Sequence, residues 1–261
     1  MKYMPEIVTT AVSATLAVGL LSLRVANAED AGFAEHADKN YYWGLGVAGA
    51  LQRKAYTDID DDTMVLPLIY FENRWVRFFG GSLDLKLPAP SPIEFSLAAR
   101  YSRDGYEASD SRFLAGMEER EGSAWVGAAA KWSNPIADVS IEWVADPMSN
   151  SEGQQVKLEL AHGFAAGKFE FTPHAGATWM DSKFVDYYYG VTTAEARAGR
   201  PQYTGESTTN VEAGLRISYS IPHQSFFVDI NAEILGQEIE DSPIVDQSSQ
   251  GRVVLGYLYV F

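Results

Sequence analysis

Several short segments of this chain alternate apolar and polar residues with a period of two, and that pattern restricts the fold more than any other feature. In "ADVSIEWVA" (137–145), Ala137, Val139, Ile141, Trp143 and Ala145 fall on one side, with Asp138, Ser140 and Glu142 on the other. "QVKLELAHG" sets Val156, Leu158 and Leu160 against Lys157 and Glu159. "NVEAGLRISYS" sets Val211, Ala213, Leu215, Ile217 and Tyr219 against Glu212, Gly214, Arg216 and Ser218. "FFVDINAEIL" sets Phe226, Val228, Ile230, Ala232 and Ile234 against Asp229, Asn231 and Glu233. Successive side chains of a β-strand point to opposite faces, so these are strands with one apolar and one polar face. Further strands are read near 41–52, 63–72, 74–87, 92–102, 122–132, 167–180 and 251–261. Many run to about ten residues, the length that crosses a bilayer at a tilt, whereas soluble strands average about five or six.

Two architectures use such strands: a soluble sandwich with its apolar faces inward, and a membrane barrel with its apolar faces outward around a polar lumen. The polar faces carry Lys157, Glu159, Arg216, Asp229 and Glu233 in mid-strand. A lumen accommodates these, as an exposed sandwich face would. Tyr41, Tyr42, Trp43, Trp75, Trp132, Trp179 and Tyr219 stand near strand ends, where interface girdles form. Connections alternate in length: "SNP" (133–135), "AAG" (165–167) and "IPHQ" (221–224) are tight, and 103–121, 181–206 and 237–250 are long and polar. Short periplasmic turns and long external loops are the barrel pattern. The expectation is an all-β, antiparallel transmembrane barrel. The strands read above total eleven. Bacterial barrels have an even number, so one boundary before residue 103 is misplaced; twelve strands are expected, with ten as the alternative.

Residues 1–28 read as a secretory signal: Lys2, then the apolar "IVTTAVSATLAVGLLSL", then Ala26 and Ala28 in a small-x-small cleavage site. An uncleaved anchor is the rival reading. Residues 29–40 would then be a short periplasmic segment and 41–261 the barrel. The chain ends on "RVVLGYLYVF", with Val253, Leu255, Tyr257, Tyr259 and Phe261 on one face. A terminal Phe after alternating apolar residues resembles the signal read by the barrel-assembly machinery. Both chain ends are expected in the periplasm, and outer-membrane lipid is the expected surrounding.

Composition excludes several functions. Net charge is −15, from 20 Lys and Arg against 35 Asp and Glu, so no basic footprint for nucleic acid exists. With no cysteine, disulfides, thiolate zinc sites and iron–sulfur clusters are ruled out. "TDIDDDT" (57–63) begins like a calcium loop, but Thr63 and Ile69 stand where Gly and Glu are needed. His36, His162, His174 and His223 show no ligand spacing; His174 is expected to share its face with Glu170, Thr172 and Thr178 in a lumenal hydrogen-bond network. No Gly-x-Ser-x-Gly is present, and strand parity brings no Ser–His pair together, so neither an enzyme nor a cofactor is expected. In "DYYYGV" (186–191), Tyr187–Tyr189 are read as closing a strand and Gly190 as allowing a sharp turn; an aromatic loop tip that holds a partner is the other reading.

Four segments, "VLPLIYFENRWVRFFGG" (65–81), "YSRDGYEASDSRFLAGMEER" (101–120), "DYYYGVTTAEARAGRPQY" (186–203) and "DSPIV" (241–245), together resemble the MipA/OmpV family, the MltA-interacting proteins of Gram-negative outer membranes. The first is similar to the family's Pro-Leu-Pro-x-x-Tyr stretch and the aromatic strand after it. "YSRDGYEASDSRFLAGMEER" (101–120) resembles its Gly-Arg-Asp segment, rearranged here to Arg103-Asp104-Gly105. "DYYYGVTTAEARAGRPQY" (186–203) resembles the Tyr188-Tyr189-Gly190-Val191 motif region, and "DSPIV" (241–245) the block with Asp241, Ser242 and Pro243 before the last strand. The resemblance implies an outer-membrane barrel that scaffolds a lytic transglycosylase and a murein-synthesising penicillin-binding protein. A small cation-favouring pore and a surface adhesin acting through the long loops are the alternatives.

Overall fold

The computed structural model describes residues 41–59 and 61–261. The signal segment with Ala26 and Ala28, residues 29–40 and Asp60 lie outside the described residues. The strands are β1 (Tyr41–Gln52), β2 (Asp62–Asn73), β3 (Val76–Phe79), β4 (Ser82–Leu87), β5 (Ile93–Tyr101), β6 (Ala124–Ser133), β7 (Asp138–Ala145), β8 (Gln154–Ala161), β9 (Phe164–Ala166), β10 (Phe169–Met180), β11 (Thr208–Ile221), β12 (Gln224–Ile234) and β13 (Ser249–Val260). Two helices, α1 (Ser182–Tyr189) and α2 (Gln237–Glu240), lie in the loops.

Neighbouring strands pair antiparallel, and β13 pairs with β1 from Gly44↔Val260 to Gln52↔Arg252, which closes the sheet. β8 and β9 both pair with β10 and act as one interrupted wall strand. The wall is therefore a closed twelve-stranded barrel. The strand read as 74–87 is two: the chain reverses at Gly80 and Gly81, so β3 and β4 form a hairpin. That is the misplaced boundary before residue 103.

The alternation sorts the faces as expected. Val47, Ile141, Leu158, Val211, Ile230 and Leu255 point outward and are exposed. Glu159, Arg216 and Asp229 point inward and are buried. A continuous exposed apolar belt around a charged interior is stable only where the surrounding solvent is lipid. Trp43, Trp75, Trp132 and Trp179 stand on the outer face near strand ends, as a girdle requires. Tyr42 does not. It packs inward with Phe79 against a lumenal cluster of Ala48, Leu68, Tyr70, Phe227, Leu258 and Val260, near the end of the barrel with the short turns. Its neighbours Tyr41 and Trp43 take the outer face, and the period of two leaves Tyr42 the inner one.

Candidate functional site

The lumen is crossed by layers of ion pairs. Arg100 Nη2 donates to both Asp84 Oδ1 and Glu142 Oε2, each at 2.6 Å. Lys157 Nζ bridges Glu212 (2.5 Å) and Glu159 (3.2 Å). Gly176 pairs in register with both glutamates, and its missing side chain leaves room for that bridge; an added Cβ would sit 3.1 Å from Glu212 Oε1. Arg216 and Asp229 are register partners joined at 3.0 Å. Nearer the turns, Glu72 accepts from Tyr70, from Arg77 and from Lys86. Each charge thus meets its opposite, the condition under which buried charge is tolerated. His174 shares the inward face as expected, but neither ring nitrogen finds a hydrogen-bond partner among the described residues; Asp229 Oδ2 lies 3.9 Å from Nε2. The network expected of His174 is not formed.

The long loops pack together as a cap over the other end. Tyr56, Tyr106, Leu114, Met117, Val191 and Ile244, from four separate loops, form one buried cluster. Beneath it, Phe184, Val185 and Tyr188 of α1 pack on Trp125, Met180, Leu235 and Ile239. Polar contacts tie the loops. Arg120 Nη2 meets Glu195 Oε1 and Oε2 at 3.0 and 3.1 Å, and Arg120 Nε donates to the Tyr187 carbonyl at 2.7 Å. Arg200, fully buried, donates to the Phe113 carbonyl (2.6 Å) and to the Glu195 carbonyl (2.8 Å).

Two cap carboxyls carry a pH dependence. Burial pushes Asp146 and Glu195 up, but hydrogen bonds outweigh it. Asp146 accepts from Ser123, Ser151 and Met148. Glu195 accepts from the N–H groups of Glu118 and Thr192, from the Thr192 hydroxyl and from Arg120. Both carboxyls are therefore held below the ordinary carboxylate range. Such groups stabilise above their unfolded pKa, about 4, and that contribution is lost as pH falls through the folded value. Amide exchange in residues 146–153 and 192–195, corrected for intrinsic rates, should stay constant from about pH 8 to about pH 5 and accelerate below about pH 4. Acceleration on the alkaline side instead would contradict this account.

The two motif segments meet in the cap. Ser242 Oγ donates to the Tyr189 carbonyl (2.5 Å), Tyr56 OH to the Tyr188 carbonyl (3.3 Å), and Val191 bridges to Tyr203. Asp241 caps the C-terminus of α2, and Pro243 precedes the buried Ile244. Tyr188 and Tyr189 do not close a strand; they end a helix, α1. The Asp181 side chain accepts from the Phe184 N–H (2.9 Å) at its start, an N-cap that competes with strand continuation. Gly190 is not in a left-handed turn, with φ −72°. A side chain there would bring Cβ to 2.2 Å from the Asp186 carbonyl oxygen. The helix was readable from Asp181 followed by Phe184, Val185 and Tyr188 at helical spacing.

The terminal-strand residues lie where the sequence put them. Val253, Leu255, Tyr257, Tyr259 and Phe261 share the outer side of the β1–β13 seam. Phe261 stacks on Trp43 with ring centroids 4.0 Å apart, and its N–H donates to the Trp43 carbonyl (2.9 Å). Among the described residues no group of three or more His, Asp or Glu could hold a metal ion.

A closed barrel with a lipid-facing belt, aromatic girdles and charged interior defines an integral outer-membrane β-barrel protein. Residues 45–261 match the family described as MltA-interacting protein MipA, and the chain belongs to that family. It is 29% identical over 248 residues to the MltA-interacting protein of Escherichia coli K12, covering 93% of this chain and 98% of the relative. Outer membrane protein OmpV of Vibrio cholerae serotype O1 is 25% identical over 186 residues, 71% of this chain and 70% of the relative. Among solved structures, the NanC porin aligns with a TM-score of 0.44 and 7% identity over 82% of this chain and 98% of its own.

Proposed function

We propose that this protein is a non-conducting, non-enzymatic anchor in the outer membrane that holds murein-acting enzymes against it. The observation that carries this reading is the filled lumen. Ion-pair layers cross it, the loop cap covers one end, the apolar cluster around Phe227 and Tyr70 narrows the other, and the upper lumen keeps a cavity of about 190 Å³. Twelve strands lie between the roughly eight whose interior side chains just fill and the roughly 16–18 that leave an aqueous channel, so the ion-pair layers and the cap are what occupy this lumen. In this reading the short turns and both chain ends face the periplasm, where the partners are. The name MltA-interacting protein, borne by the Escherichia coli relative, supports a lytic transglycosylase as one partner; the sequence resemblance adds a penicillin-binding protein as the second. The apolar terminal strand supports delivery by the barrel-assembly machinery.

Planar-bilayer recordings of the purified barrel should be silent; steady ion-selective steps would replace the anchor with a pore. A tagged protein should recover a transglycosylase from solubilised envelopes, and repeated recovery of neither enzyme class would remove the murein partners.

A further inference from the structure

Between the loop cap and the ion-pair layers the lumen keeps a chamber of about 190 Å³. Phe184 and Tyr189 of α1 form its roof. The Arg100–Glu142 and Lys157–Glu212 pairs form its floor. Gln155 and Asn210 stand between the two. Each is one inward position nearer the cap, Gln155 than Lys157 on β8 and Asn210 than Glu212 on β11. Trp125, the register partner of Arg100, closes one side.

The charged groups that line this chamber are already engaged. Arg100 is held by Asp84 and Glu142, and Lys157 by Glu159 and Glu212. The two Glu233 oxygens accept from Asn210 (2.9 Å) and Gln250 (3.0 Å). Asp104 accepts from the Ser102 hydroxyl, and Arg252 has partners of its own. An ion brought in from water would find no uncommitted counter-charge, the condition that makes buried charge costly.

Neutral hydrogen-bonding capacity remains. The Trp125 indole N–H and the Arg100 Nε–H are buried and have no partner among the described residues. Asn231 donates to Glu212 (3.2 Å) and keeps its amide oxygen as an acceptor. Gln52 and Gln155 add two more amides to the wall. Trp125, Phe184 and Tyr189 supply aromatic surface beside these polar groups. As a guide to size, an engineered cavity of about 150 Å³ holds benzene. The chamber therefore has room for one six-membered ring with small substituents.

We infer that this chamber is a binding site for one neutral, polyhydroxylated six-membered ring, a monosaccharide or a cyclitol. The ring hydroxyls both donate and accept, as the amides do, and they offer acceptors to the Trp125 and Arg100 N–H groups. The ring C–H groups lie against aromatic rings, whose faces are negative. The roof belongs to the cap, so the guest enters and leaves when α1 lifts.

The test is isothermal titration calorimetry of the full barrel in a detergent without a sugar head, with glucose and myo-inositol as probes. Both should bind one per barrel with a Kd of about 1 mM or tighter, the range for about twelve non-hydrogen atoms. Glucuronate and glucosamine, which add a charge to the same ring, should bind at least about tenfold more weakly. Glucose at about ten times its Kd should slow amide exchange in residues 182–189 about tenfold, because the site is lost when the roof opens. Trp125→Phe, checked for folding by heat-modifiable migration, should weaken binding about fivefold, the loss of one neutral hydrogen bond. Gln155→Leu takes its place if that variant does not fold. No binding of either polyol up to about 10 mM would leave the chamber to water and overturn the site. Equal affinity for either charged sugar would overturn the neutral class, and unchanged exchange in 182–189 would overturn the location.

Discussion

Phe261→Asp is expected to lower the yield of folded, heat-modifiable barrel in the outer membrane by about tenfold or more, and Glu233→Gln to leave it near wild type. Phe261 acts at the seam. β13 and β1 are the last and first described wall strands, and their pairing is what removes both sheet edges. The Phe261 ring stacks on Trp43 at 4.0 Å, and its N–H adds one more bond to the seam, to the Trp43 carbonyl. A carboxylate there would lie on the lipid face at the barrel rim, where a charge is disfavoured by only about 0–1 kcal/mol, so the expected loss comes mainly from the aromatic contact and the seam. It would also spoil the alternating apolar ending proposed as the assembly signal. Glu233, by contrast, is lumenal and accepts from Asn210 (2.9 Å) and Gln250 (3.0 Å), and a glutamine retains an acceptor for one of them. Equal yields of the two variants would refute a special role for the chain end.

Glu195→Ala is expected to open the loop cap while leaving the barrel intact. Arg120 and Glu195 are both buried, and the guanidinium meets both carboxylate oxygens. Removing the carboxylate leaves a buried positive charge with only carbonyl partners, a loss of about 3–5 kcal/mol. That loss is confined to the cap, because Glu195 contacts Glu118, Arg120 and Thr192 and no wall strand. Limited trypsin digestion should cut within 103–121 and 191–206 in the variant and spare the wild type, with heat-modifiable migration unchanged in both. A second variant, Arg120→Met with Glu195→Leu, should recover part of the protection, since apolar groups of similar volume replace buried ion pairs at little cost. If Glu195→Ala stays protease-resistant, the cap rests on its apolar cluster alone.

The sequence was most legible where structure follows from neighbours two residues apart. Leu158 and Leu160 against Lys157 and Glu159, or Ile230 against Asp229, already state which side chains meet lipid and which meet the lumen, because pleating is local. The parity of strand number exposed the error before residue 103, although it could not say that Gly80 and Gly81 were the turn. The helix α1 was hidden by aromatic residues that suit strands; its N-cap Asp181 and the spacing of Phe184, Val185 and Tyr188 were the overlooked signal.

By itself the sequence determined which residues share a face of each strand, and strand length and the alternation of short and long connections led to the expectation of a bilayer; that the set closes with its apolar face outward was decided by the tertiary structure. Tertiary structure alone decided which charges neutralise one another, that Ser242 and Tyr189 meet across 53 positions, and that β3 turns back after pairing with only Tyr70, Phe71 and Glu72 of β2. These depend on register between distant segments and on where a strand stops. Periodicity fixes the face of a residue but not its height in the barrel, so contacts that require equal height became readable only once the strands were paired.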